Sequence, residues 1–133
     1  MALNQPLNDG YYVLEASTLK ASQTVPYGTI AAQVSGKIQP AATGVSGAVL
    51  LGMSLQNLAE TTGSDATITP AAAFARGCVI EMSGKSGDLP TAAELGKAVY
   101  IDTASSVKKT AATDDLEVTL VGIRGSVFMV RLP

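Results

Sequence analysis

The chain contains no histidine and no tryptophan, one cysteine, and few charges. Each absence removes a class of function. Without histidine, the commonest general base and the commonest metal ligand are both missing. A single thiol, Cys78, can form neither an intrachain disulfide nor a thiolate zinc site. It lies in the strand-like run GCVIEM, where it reads as a buried, inert thiol. Charged residues make up 15% of the 133 positions, against about 25% in an average domain. The formal net charge is −2, and the only adjacent basic pair is Lys108-Lys109, read as a solvated strand end. Nothing there suggests the clustered basic face that nucleic-acid binding needs. No apolar run is long enough for a membrane-spanning helix. The opening MALNQPLNDG lacks the basic and apolar regions of a secretory signal, so none is expected.

The remaining candidates for chemistry fail on spacing. Gly84-Lys85-Ser86 resembles the end of a phosphate loop, but the motif requires glycine where Val79 stands. The carboxylates Asp65, Glu81, Asp88, Glu94, Asp102, Asp114, Asp115 and Glu117 show no spacing that singles out a catalytic pair. Asp114-Asp115 reads as a turn between strands. No G-x-S-x-G elbow and no calcium loop occurs. No enzyme activity, cofactor or metal is therefore expected. A low-charge chain without a catalytic constellation reads as an interaction module.

What the sequence does contain is short apolar segments separated by Gly, Ser, Thr, Asp and Pro. At 133 residues one domain is the simplest expectation. From Tyr27 onward, Gly28, Gly36, Pro40, Gly44, Gly47 and Gly52 leave room for strands but not for ordinary helices. The run 46–55 reads as a central strand. Residues 66–69 alternate until Pro70 stops them, and 71–75 read as a helical turn or a wide loop. Residues 78–82, 97–102 and 106–110 read as further strands, with Lys97, Val99 and Ile101 sharing a face. Thr91 and Glu94 form a capping box, and Gly96 ends the resulting turn. Residues 116–123 and 126–132 form a hairpin through Arg124-Gly125. Both faces of that hairpin are apolar, so Val127, Phe128, Met129 and Val130 are expected at an oligomer interface.

Residues 1–26 lack this rhythm. They read as an extended N-terminal arm, with 27–133 as the β-rich domain. Leu3, Leu7, Tyr11, Tyr12, Val13 and Leu14 are the candidate contacts of the arm, adding a strand to a partner's sheet edge.

The order of segments from Gly44 onward is GVSGAVLLGMSL, SDATITPAAAFARG, TAAELGKAVYID, SVKKTAAT and VTLVGIRGSVFMVRLP. This order resembles the phage capsid cement proteins, relatives of the lambda head decoration protein, over about two thirds of the chain. The resemblance implies a mainly β fold, a small β-barrel or β-tulip-like single domain with one short helix. It also implies a non-enzymatic virion protein, made in the host cytoplasm and bound to the outer capsid surface. There a homotrimer at three-fold or quasi-three-fold sites would cement neighbouring copies of the major capsid protein after expansion. Neither nucleic acid nor membrane is an expected partner. Two other readings remain beside it: a β-rich tail or baseplate component, and a receptor- or carbohydrate-binding module.

Overall fold

The structure, a computed structural model, describes residues 11–133, apart from the side chains of Tyr11, Tyr12, Ala16 and Pro70. Its strands are β1 (Tyr11–Leu19), β2 (Thr24–Val25), β3 (Ile30–Val34), β4 (Lys37–Pro40), β5 (Val49–Ser54) and β6 (Leu58–Ala59). They continue with β7 (Ala66–Ala75), β8 (Val79–Gly84), β9 (Ala98–Thr103), β10 (Ser106–Lys108), β11 (Glu117–Arg124) and β12 (Val127–Arg131). The fold is mainly β. One 3-10 turn, Ala92–Glu94, is capped as its sequence requires. The Thr91 hydroxyl accepts from the Ala93 N–H at 3.3 Å, and the Glu94 carboxylate accepts from the Thr91 N–H at 2.7 Å.

The strands close into two rings, β1-β4-β3-β5-β7 and β10-β8-β12-β11-β9, with β2 and β6 as a separate two-stranded ladder. A single barrel was expected and two are found. The rings share one topology. In the first, β1 runs parallel to β4 and every other neighbour is antiparallel. In the second, β8 runs parallel to β10 and every other neighbour is antiparallel. Naming the strands of each barrel a to e in chain order gives the same circuit twice: a-c-b-d-e and back to a. Closure leaves no barrel strand with a bare edge, which suits a chain with few aromatics to bury.

The first ring corrects the N-terminal expectation. Residues 11–19 are not part of an arm but a barrel strand, paired with β7 from Tyr11↔Ala75 to Leu19↔Ala66. The register shifts between Glu15 and Ser17. That bulge reverses the alternation halfway along the strand, so the segment shows no clean period. The same irregularity accommodates Pro70, which lies opposite it on β7. A proline is tolerated at a bulge because the missing N–H has no ladder partner there. β7 therefore continues through Pro70, and 71–75 are strand, with Ala72 and Phe74 buried. The β11–β12 hairpin also shifts by one residue: Arg124 pairs with Val127, so the loop is Gly125-Ser126.

Each barrel has its own interior. Leu19, Val25, Ala31, Ile38, Leu51, Leu58, Ala72 and Phe74 fill the first. Ile80, Met82, Val99, Ile101, Val107, Val118, Leu120, Phe128, Val130 and Leu132 fill the second, and Ile30, Ala32 and Ala41 join that same cluster. β3 is thus buried on both sides: Ala31 faces its own barrel, and Ile30 and Ala32 face the other. Cys78 and Leu116, just before β8 and β11, pack on this cluster together with Leu50 and Met53 of β5. The outer wall of the first barrel therefore covers one end of the second.

Gly52 on β5 fixes how closely the first ring can close. A Cβ there would lie 2.2 Å from the Ala75 carbonyl oxygen, and its φ is +129°. Gly52→Ala should cost about 2–3 kcal/mol of stability through overpacking. Gly36→Ala, also at positive φ (+77°) but with open space around it, should cost about 1 kcal/mol. Urea unfolding midpoints of the two variants test this difference.

Candidate interaction surface and buried ionic clasp

The barrels are fastened by charge as well as by apolar packing. Lys108 Nζ lies 2.8 Å from Asp115 Oδ2, with the side chains 6% and 1% exposed. The same ammonium donates to the Thr43 hydroxyl at 2.5 Å, and that hydroxyl donates to Asp115 Oδ1 at 2.7 Å. Backbone N–H groups of Gly44 (2.8 Å) and Ala112 (2.6 Å) complete the carboxylate's shell. Thr43 and Gly44 follow the last strand of the first barrel's β3–β4 pair, whereas Lys108 and Asp115 belong to the second barrel. Two backbone bonds reinforce the junction, Ile30 N–H to Ala104 O at 2.8 Å and Thr43 N–H to Asp102 O at 3.0 Å. Burial pushes the Asp115 carboxyl up. Hydrogen bonds from Lys108, Thr43, Ala112 and Gly44 outweigh it and hold the group well below the usual carboxylate range.

A second buried carboxylate, Glu60, fastens loops of the first barrel. It accepts from the Thr62 hydroxyl and from the N–H groups of Thr62 (3.0 Å), Ser22 (3.2 Å) and Gly63 (3.0 Å). The Thr62 hydroxyl is the main cause of a pKa lowered to about 2. Burial opposes it, and the three backbone donors add to it.

Lys108, Asp115 and Thr43 are occupied with one another. Among the described residues, every buried side-chain polar atom has a partner, and no group of three or more Cys, Asp or Glu could hold a metal ion. An open groove of about 380 Å³ is lined by Glu117, Val118, Thr119, Arg131, Leu132 and Pro133. It contains one carboxylate and no nucleophile beyond a threonine hydroxyl. Gly84-Lys85-Ser86 closes β8, and Lys85 faces Asp102 at 3.9 Å.

The candidate contact residues are distributed unevenly. Leu3 and Leu7 lie outside the described residues. Tyr11 and Tyr12 are paired through their backbones with Ala75 and Phe74, Val13 is exposed, and Leu14 packs on the first core. Phe128 and Val130 are buried in the second barrel and have no surface to offer a partner. Their assignment to an oligomer interface is corrected. Alternation on β12 places only Val127 and Met129 outside, because the inward set fills the ring. Exposed Val79 on β8 and Val121 on β11 lie on the same three adjacent strands, but Val79 stands opposite Arg131 and Met129 opposite Glu81. The Arg124–Glu81 ion pair at 2.7 Å joins β11 to β8 across β12, at the level of Val127 and Met129.

The clasp was missed in the sequence. Lys108 was read as solvated and Asp115 as a turn residue, because their shared partner Thr43 is 72 positions from Asp115. No local pattern can report a contact at that separation.

Both buried carboxylates have folded-state pKa values below their ordinary values of 3.8 and 4.5. Their stabilisation is therefore complete above those ordinary values and is lost as pH falls toward the folded ones. The thermal midpoint should be flat from neutral pH to about pH 5 and decline below about pH 4.5, less steeply in Asp115→Asn. Removing one partner leaves a buried charge, so Asp115→Ala should cost about 3–5 kcal/mol. Adding Lys108→Met should recover most of that loss, as read by urea denaturation.

Comparison with known protein families, with curated proteins and with solved structures finds no match to this chain.

Proposed function

We propose that the chain is a non-enzymatic structural protein of a phage virion. It binds the outer surface of the head as a homotrimer at three-fold or quasi-three-fold positions and cements neighbouring major capsid proteins. The observation that carries this reading is the use of the buried ionisable side chains. Lys108, Asp115 and Glu60 all hold loops and barrels in place, so the outer surfaces are left as the working part. Low charge and the outward-facing Val79, Val121, Val127 and Met129 support it, as does the segment order described above. A rigid two-barrel body suits a bridging role, because it transmits load between the proteins it touches without changing shape. Each contact need only be modest, since three linked contacts multiply in avidity.

A tail or baseplate component is the second reading, and oligomeric β-barrels would serve there equally well. A carbohydrate-binding module is less favoured, because the chain has no tryptophan and few tyrosines to stack on a sugar.

Heads assembled without this chain, then mixed with the purified protein, test the proposal. A reconstruction should show three-lobed density on the three-fold axes of the outer shell, and the heads should resist heat better than undecorated ones. Density confined to the tail, or none on the head, would overturn it.

A further inference from the structure

Lys108 and Asp115 are a nucleophile and an electrophile held against each other away from water. The Lys108 nitrogen lies 2.8 Å from Asp115 Oδ2, with the side chains 6% and 1% exposed. Among the described residues Lys108 has no second carboxylate partner. An exposed lysine–carboxylate pair stays ionic, because water stabilises both charges and nothing carries protons from the nitrogen to the oxygen that must leave. Both obstacles are reduced at this site.

Burial disfavours the charged forms, and Thr43 supplies the proton path. Its hydroxyl accepts from Lys108 Nζ at 2.5 Å and donates to Asp115 Oδ1 at 2.7 Å. One shift along these two bonds moves a proton from the nitrogen to Oδ1. It leaves a free amine beside a neutral acid.

The two carboxylate oxygens are also unlike. Oδ1 accepts from the Thr43 hydroxyl and from the Gly44 N–H at 2.8 Å. Oδ2 faces the Lys108 nitrogen and accepts from the Ala112 N–H at 2.6 Å. Oδ1 is therefore placed to gain protons and leave. Oδ2 is placed to carry negative charge against a fixed backbone donor.

We propose that the pair condenses after folding into an isopeptide bond between Lys108 Nζ and Asp115 Cγ. The ion pair described above is the starting state. Two protons of the ammonium pass in turn through the Thr43 hydroxyl to Oδ1. The Nζ lone pair forms the bond to Cγ, and the carbonyl electron pair moves onto Oδ2 beside the Ala112 N–H. As that pair returns, the Cγ–Oδ1 bond breaks and Oδ1 leaves as water. Nothing is oxidised or reduced, and no further reactant is required. Fixed proximity takes the place of the activation that amide formation needs in solution. The hydrogen bonds that keep Asp115 ionised oppose the first proton shift, so conversion is slow and confined to the folded chain.

The amide closes residues 108–115 into a ring where the 41–44 loop of the first barrel docks. It also removes both charges, so the clasp ceases to titrate. The inference needs neither a trimer nor a capsid.

The intact mass of the purified full-length chain, held folded at neutral pH, reads the reaction directly. It should fall with time by the mass of one water, and should not change in urea. Trypsin should then no longer cut after Lys108, and the peptide carrying Lys108 should be joined to the one carrying Asp115. A cyclic imide at an aspartate loses the same mass, but it leaves Lys108 cleavable and does not need the lysine. Lys108→Arg keeps the charge and should abolish the loss. Thr43→Val should slow it by about a hundredfold, and Thr43→Ser should restore it. The wild-type mass and peptide map decide even where a variant does not fold. An unchanged wild-type mass, a loss that persists in Lys108→Arg, or a loss as fast in Thr43→Val as in the wild type would overturn the inference.

Discussion

Strand β3 is required by two interiors at once, and the rest of the molecule is arranged around that demand. Ala31 closes the first barrel, and Ile30 and Ala32 cover the second. A strand buried on both faces cannot alternate apolar with polar, and IAAQV does not. Its small alanines let the two rings approach closely. The bond from the Ile30 N–H to Ala104 then ties the start of β3 to the β9–β10 turn.

The Asp115 clasp follows from this approach. Once the barrels touch, the Lys108 and Asp115 side chains are buried between the 41–44 loop and the loop after β10. Backbone N–H groups there must find acceptors or destabilise the fold. One carboxylate satisfies Gly44, Ala112 and Thr43 and neutralises Lys108. Such a buried pair adds little net stability over apolar packing, but it strongly disfavours any arrangement that separates its members. Its role is to fix one relative position of the two barrels. Glu60 acts on a smaller scale, setting the shape of the loops that carry β2 and β6.

The strands of the second barrel were legible because its segments obey local rules. The Thr91–Glu94 cap, the alternation of Val99 and Ile101, and the apolar hairpin through Gly125 all follow from neighbours within a few residues. The first barrel was harder to read. The register shift between β1 and β7, where Ala16 faces two residues, Thr69 and Pro70, changes the phase of β1 between Leu14 and Leu19. The double topology was not legible at all, since the two barrels share a circuit with little sequence in common. The clasp and the two-sided burial of β3 depend on contacts between residues far apart in the chain. The inward direction of Phe128 and Val130 could have been read from alternation, but the apolar residues between them concealed which face was core.

The bulges have a further consequence. Two rings of identical order within one chain create a hazard during folding, because β8 could occupy the place of β1 and a newly made barrel could borrow a strand from its sibling. The irregularities differ between the rings. In the first the register shifts between β1 and β7 and between β3 and β5, whereas in the second it shifts between β9 and β10 and between β11 and β12. A misplaced strand would meet its neighbour one residue out of phase, turning its inward side chains to water. Each bulge thus acts as a key cut for one lock, letting sibling barrels sort their strands without help from outside the chain.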